Sequence, residues 1–216
     1  MAFLNNEQIN LINDKMSSDP KYLGKLYKAK KNQFYTTSVV HNLSEDLIKE
    51  GWEVDVRLKT KTKLKKEKSH SKKFEDDIWC QFYELGFRTL NKDETLELPF
   101  GKDIIKKKQI DVLAVNNEMA IIIECKSSAK PKKPPSYKDE FDLLGLRLDG
   151  FKKSLRQVFG ESIRTKYIFA TRNLKISSDS IDMQRFLKTK SFHYNDSTYK
   201  YVNSIIKNYK NAASYQ

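Results

Sequence analysis

The chain has 216 residues, of which 38% are apolar, 32% charged and 12% aromatic; 41 Lys and Arg against 28 Asp and Glu leave a formal net charge of +13. Such a length buries a sizeable core without staples, and the aromatic share argues against wholesale disorder. The cationic surplus points to a polyanionic partner, while the longest apolar run, Met119 to Ile123, excludes a membrane-spanning helix, which needs about 20 residues.

In chain order, Asn5 to Met16, Lys21 to Lys31 and Ser44 to Glu50 read as short helices. Ser44 is a good N-cap for the last of them and Gly51 a good stop. Trp52 to Arg57 reads as a strand. The lysine-rich run 59–73, KTKTKLKKEKSHSKK, follows, with eight Lys against one Glu. Its alternation at Lys59, Lys61, Lys63 and Lys65 suits the outer face of a strand. Like-charge repulsion and a single apolar residue, Leu64, favour a solvated linker instead. The predicted division is therefore a mostly helical segment 1–58, a linker 59–73 and a main domain 74–216.

Lys73 to Leu85 is predicted helical from Phe74, Ile78, Phe82 and Leu85, with Gly86 ending it. Thr95 to Phe100 and Gln109 to Val115 read as strands. Asn116-Asn117 reads as a tight turn, since Asn tolerates positive φ. Glu118 to Lys126 is the third strand of this meander, and its MAIII run predicts burial on both faces. SSAKPKKPP (127–135) is predicted to be a rigid basic loop. Asp139 to Phe159 is the clearest helix, with Phe141, Leu144, Leu148, Phe151, Leu155 and Val158 on one stripe. A strand at Lys166 to Thr171, a helix around Ile181 to Leu187, a short strand at Phe192 to Tyr194 and a helix from Ser197 complete a mixed α/β layer fold. The last helical pattern still runs at Gln216, which suggests the front part of a longer protein.

Chemistry concentrates at Asp111 and at Glu124-Cys125-Lys126. Strand parity puts Glu124 and Lys126 on one face, Cys125 on the other, and Gln109 with Asp111. The hairpin brings Asp111 beside Glu124, so two acids and a base converge at the edge of an apolar sheet. Such burial is costly unless the charges pair or bind a metal. Carboxylate oxygens suit a hard octahedral Mg²⁺, for which Mn²⁺ substitutes, and the metal polarises a phosphate and activates water. Lys126 is placed to hold that water and offset developing charge. The alternative is a strand-end salt bridge between Glu124 and Lys126, with Asp111 capping the hairpin. Cys80 and Cys125 form neither a disulfide framework nor a zinc spacing, as befits a reducing cytoplasm, and the N-terminal residues turn polar too early for a secretory signal.

The D-x(12)-E-C-K pattern over residues 74 to about 172 resembles the PD-(D/E)xK nucleases of the restriction-endonuclease-like superfamily. The resemblance implies a restriction-endonuclease-like α/β core, Mg²⁺ held by Asp111 and Glu124, and Lys126 as the catalytic lysine. It also implies an acid from the first core helix, for which Glu75 is the candidate beside Asp76 and Asp77. Ile110 stands where the family often has Pro. Gln109 and Ser127 are candidate supports of the site, and Cys125 would join the metal through its main-chain carbonyl. Gln157 and Arg156 are read as a solvated helix face, and His70 and His193 as ordinary surface residues. GWEVDV, FEDDIWCQFYELGF, KQIDVLAV and IIIECKSS also look like the front part of DGQHR-domain proteins linked to DNA modification and phage defence.

The expected activity is therefore Mg²⁺-dependent endonucleolytic cleavage of DNA in a restriction or phage-defence system, in the cytoplasm and at the nucleoid when DNA is bound. Lys65, Lys66 and Lys68 in the run, and Lys130, Lys132 and Lys133 in the loop, are candidate phosphate contacts. A homodimer, further domains of a longer chain or a defence partner would complete a double-strand cut. Two rivals remain: a catalytically lapsed DNA-binding module of the same fold, and a basic RNA-binding or processing protein. RNA readers usually expose aromatics for stacking, whereas most aromatics here have core-like spacing.

Overall fold

The computed structural model describes residues 3–32, 34–100, 106–132, 137–174 and 192–195, the last as backbone only. The predicted helix at 181–187, the helix from Ser197, and Lys133 lie outside these residues. In order come α1 (Asn6–Lys15), β1 (Met16–Ser17), α2 (Pro20–Lys31), β2 (Tyr35–Val40), α3 (Glu45–Lys49), β3 (Glu53–Arg57), β4 (Thr62–Glu67) and α4 (His70–Glu84). Then follow β5 (Thr89–Asn91), β6 (Glu97–Pro99), β7 (Lys107–Gln109), β8 (Val112–Val115), β9 (Met119–Lys132), α5 (Lys138–Phe159), β10 (Arg164–Leu174) and β11 (Phe192–Asn195). Among the described residues no helix is long and apolar enough to cross a membrane.

The main sheet runs β1-β5-β8-β9-β10-β11, antiparallel as far as β9 and parallel from β9 to β11. It is a mixed central sheet flanked by helices, the α/β layer class expected from the element order. Alternation along β9 sorts the core in two. Ile121, Ile123 and Cys125 pack with Phe74, Ile78 and Phe82 of α4. Ala120 and Ile122 pack with Phe141, Leu144, Phe151 and Leu155 of α5 and with Ile12 of α1. The MAIII run is thus buried on both faces, because helices cover both.

Several expectations are corrected. The strand read over 109–115 is two: β7 pairs with β6 in a separate two-stranded sheet, and β8 begins only at Val112. The first strand of the meander is not 95–100 but β5, a three-residue stretch too short to show a period. The hairpin turn at Asn116-Asn117 uses no positive φ. Instead the Asn116 side chain accepts from the Glu118 and Met119 N–H groups at 3.0 and 2.8 Å, the local bonding that makes Asn a turn residue. The SSAKPKKPP loop is strand as far as Lys132, since β9 stays paired with β10, Leu174 lying opposite Lys132. Residues 1–58 are less separate and less helical than expected: β1 edges the main sheet, α1 packs on α5, and β2 is an unforeseen strand in the sheet that also holds β3, the strand expected at 52–57.

The lysine run is not a linker. Residues 62–67 form β4, the central strand of a three-stranded sheet β2-β4-β3, with Leu64 fully buried. Repulsion along the strand is relieved across it. Lys63 pairs with Asp55 at 2.7 Å, and Lys65 and Lys66 lie over the Tyr35 and Trp52 rings. Ser69 then caps α4, its hydroxyl accepting from Lys72 N–H, so the helix starts at His70. Gly51 and Gly86 hold φ of +86° and +93°, the left-handed stops read from the sequence.

Candidate active site

The site lies where β9 leaves the cover of the helices. Val112 is opposite Ile123 in the β8–β9 ladder, so the residue before β8, Asp111, falls beside Glu124. Asp111 stands at the break between β7 and β8 rather than inside a strand. Asn91, 2% exposed, staples that break: its Nδ2 donates to the Asp111 carbonyl at 3.1 Å and its Oδ1 accepts from Leu113 N–H at 3.0 Å. The Asp111 carboxylate Oδ2 in turn accepts from Cys125 N–H at 2.7 Å. Glu124 is 3% exposed and carries two ammonium groups, Lys126 at 2.7 Å and Lys108 of β7 at 3.1 Å.

These partners divide the charge unequally. Burial pushes Asp111 up to about 6, helped by the Glu124 charge. Burial also works against ionised Glu124, but Lys126 and Lys108 outweigh it and hold Glu124 below its usual range. Glu75 on α4 is pushed up to about 7, first by burial and then by the charge of Asp111. Of the three acids near position 75, Glu75 is therefore the one electrostatically joined to the site. Asp76 is 2% exposed and paired with Lys30, Lys68 and Lys72, and Asp77 is paired with Arg172 at 2.8 Å.

A raised acid stabilises the folded state only while protonated. The contribution of Glu75 is complete below 4.5, its ordinary value, and is lost as pH rises through about 7. In EDTA, stability is expected to fall across that window. Glu75→Gln should flatten the slope and add about 1 kcal/mol at pH 8, after discounting for partial exposure. Thermal melts of parent and variant from pH 4 to 8 check this, and parallel curves would separate Glu75 from Asp111.

The other predicted residues are placed as follows. The Cys125 side chain is buried with the α4-facing core, and burial raises its thiol well above the ordinary value, leaving only its main chain at the site. Gln109 is exposed on β7 and does not share a strand face with Asp111, because the strand breaks between them. Ser127 bonds His70 Nδ1 at 3.1 Å, which gives His70 a partner the sequence did not suggest. Gln157 is not on a solvated face: it bonds both main-chain groups of Leu4 at 2.7 Å. Lys130 and Lys132 are exposed on β9 beyond the site, and Lys65 and Lys66 are half-buried on β4. Lys68 is withdrawn from any phosphate: its side chain is 2% exposed and pairs with Asp76 at 2.8 Å. Lys108 was missed, because one lysine in KKKQID carries no distinguishing local pattern.

Asp111 and Glu124, with Glu75 nearby, gather carboxylate oxygens of the kind a divalent ion takes, alongside the ammonium groups of Lys126 and Lys108. Among the described residues no three His, Cys, Asp or Glu are grouped to hold a metal. The donor set fits an ion bound through one or two carboxylates that completes its shell with water and substrate oxygens, as Mg²⁺ does.

Fold and site together define a mixed α/β protein with an acid–acid–lysine cluster at the end of its central strand. No protein-family model matches the chain, and no curated protein matches it. Among solved structures it is similar to protein VC1899 from Vibrio cholerae, at 12% identity over 98% of this chain and 58% of that one, with a TM-score of 0.40. It is also similar to Can2 from Sulfobacillus thermosulfidooxidans in complex with cyclic tetra-adenylate, at 12% identity over 96% of this chain and 56% of that one, with a TM-score of 0.33. The chain therefore spans less than two thirds of the length of either.

Proposed function

We propose that this protein is a Mg²⁺-dependent nuclease of the PD-(D/E)xK kind, hydrolysing phosphodiester bonds, with DNA as its substrate. The observation that supports this most is the meeting of Asp111 and Glu124 at the break before β8, with Lys126 2.7 Å from Glu124. Asp111, Glu124 and the Cys125 carbonyl would hold the ion, which supplies a polarised phosphate and an acidified water. Lys126 orients the attacking water and offsets charge on the phosphoryl oxygens as the water oxygen attacks phosphorus and the leaving alkoxide departs. Lys108 holds the second oxygen of Glu124, fixing that carboxylate before substrate arrives. The net charge of +13 favours a polyanion, and exposed Lys130 and Lys132 extend from the site along β9.

A second reading, a DNA-holding module without cleavage, is favoured by one feature. Glu124 is already neutralised by two ammonium groups. Assays on DNA and RNA with and without Mg²⁺ separate the readings: Mg²⁺-dependent DNA cuts support the nuclease, and binding without cuts supports the module. Lys126→Ala should lower cleavage by roughly 10²-fold or more, since one electrostatic donor is lost. Mn²⁺ affinity, followed by calorimetry, should change little. Loss of Mn²⁺ binding in this variant would give Lys126 a structural role.

A further inference from the structure

A cleft of about 380 Å³ opens between the three-stranded sheet and the first turns of α4, lined by Trp52, Lys66, Ser69, Ser71, Lys72 and Glu75. We propose that this cleft is a nucleobase pocket taking one unpaired base of a single-stranded nucleic acid. The proposal deepens the nuclease reading by naming its substrate class, and it rests on that reading only for what happens after binding.

Four observations carry it. The volume lies in the range of small-molecule sites, roughly 300–1,000 Å³, and far exceeds what a flat base needs. One wall of the cleft is Glu75, the α4 acid that the charge of Asp111 reaches, so the cleft borders the candidate site. Its charges largely satisfy one another: Lys72 is held by Glu94 at 2.8 Å, by Asp76 at 3.6 Å and by Glu75 at 3.9 Å. A phosphate would find little surplus charge there, whereas a neutral heteroaromatic ring would find hydroxyl and ammonium donors on its edge. Trp52 supplies the remaining element, a half-buried indole with Lys66 over one face at 5.9 Å from its centroid, so that a base would stack on the opposite face. Indole faces beside lysines hold bases irrespective of sequence, because every base has a π-face to stack. A paired base cannot enter, so the pocket selects strands whose bases are already free or easily unstacked.

The chain has two tryptophans, Trp52 and Trp79. Trp79 is 1% exposed, and its indole N–H donates to the Asn91 carbonyl at 2.8 Å. Ligand-induced change in tryptophan emission therefore reports Trp52. Titrating the protein with oligo(dT) in EDTA should quench emission in step with binding measured by anisotropy. Trp52→Ala should weaken oligo(dT) binding roughly tenfold while leaving duplex binding unchanged, and Trp52→Phe should restore most of the loss. Binding without quenching, no binding of oligo(dT), or equal weakening for single and double strands in Trp52→Ala would overturn the proposal. Quenching in a protein that never cuts with Mg²⁺ would retain the pocket and reject the nuclease. Cleavage by a protein whose tryptophan emission ignores oligo(dT) would do the reverse.

Discussion

Asp111→Asn is expected to lower Mg²⁺-dependent cleavage by about 10³-fold or more while leaving DNA bound at least as tightly in EDTA. The fold should survive, because the Asn oxygen can still accept from Cys125 N–H, the 2.7 Å bond the aspartate makes now. What is lost is charge. Mg²⁺ sheds its waters reluctantly and is captured through carboxylates, so removing one of two anionic donors should cost most of its affinity. The same anion repels the scissile phosphate in metal-free buffer, and its removal relieves that repulsion. Cleavage and anisotropy on one variant test both halves. A variant that cuts with unchanged Mg²⁺ dependence would reduce the cluster to a strand-end salt bridge.

Lys68→Met is expected to destabilise the protein by about 3 kcal/mol, the scale of breaking a buried ion pair. The Lys68 ammonium lies 2.8 Å from Asp76 Oδ2. It also donates to the carbonyls of Lys30 at 2.9 Å and Asn32 at 2.6 Å, at the C-terminal end of α2. One side chain therefore caps α2, neutralises a buried acid of α4 and anchors the end of β4. Lys30 and Lys72 still face Asp76 after the change, which keeps the loss at the lower end of the range for buried pairs. Lys65→Met, which gives up a cation–π contact with Tyr35 and a secondary attraction to Asp55, should cost under about 1 kcal/mol. Denaturant melts rank the two, and equal losses would refute the capping role. DNA affinity should follow the opposite order, falling for Lys65 and not for Lys68.

The readable parts of the molecule are those whose signal is local. The α5 stripe from Phe141 to Leu155 declares its burial by period and the MAIII run of β9 by unbroken apolar length, and both are buried in the core. Parity within one strand was enough to put Glu124 and Lys126 on one face. Pairing across the chain was not readable. A lysine of the run 59–73 looks the same in sequence whether its partner is Asp55, Tyr35 or a buried Asp76, and only the packing of β4 and its end decides. Lys108 reaches Glu124 because the chain bends at Asp111, just after Ile110 closes the β6–β7 pairing through its N–H to the Leu96 carbonyl at 2.9 Å. Nothing in KKKQID announces that turn. Helix period likewise could not choose among Glu75, Asp76 and Asp77, since the choice depends on which neighbours each acid meets.

The bond from the Cys125 main-chain amide to Asp111 has a spectroscopic use. The proton of an amide whose nitrogen lies 2.7 Å from a carboxylate oxygen resonates at a position that depends on the charge of its acceptor. The Cys125 ¹H–¹⁵N cross-peak therefore acts as a voltmeter built into the backbone. It should move as Asp111 titrates near pH 6 and move again as a divalent cation draws on the same oxygens. Protonation at the candidate site, and binding of the proposed ion, can thus be followed from one resonance, with no label on the acid itself.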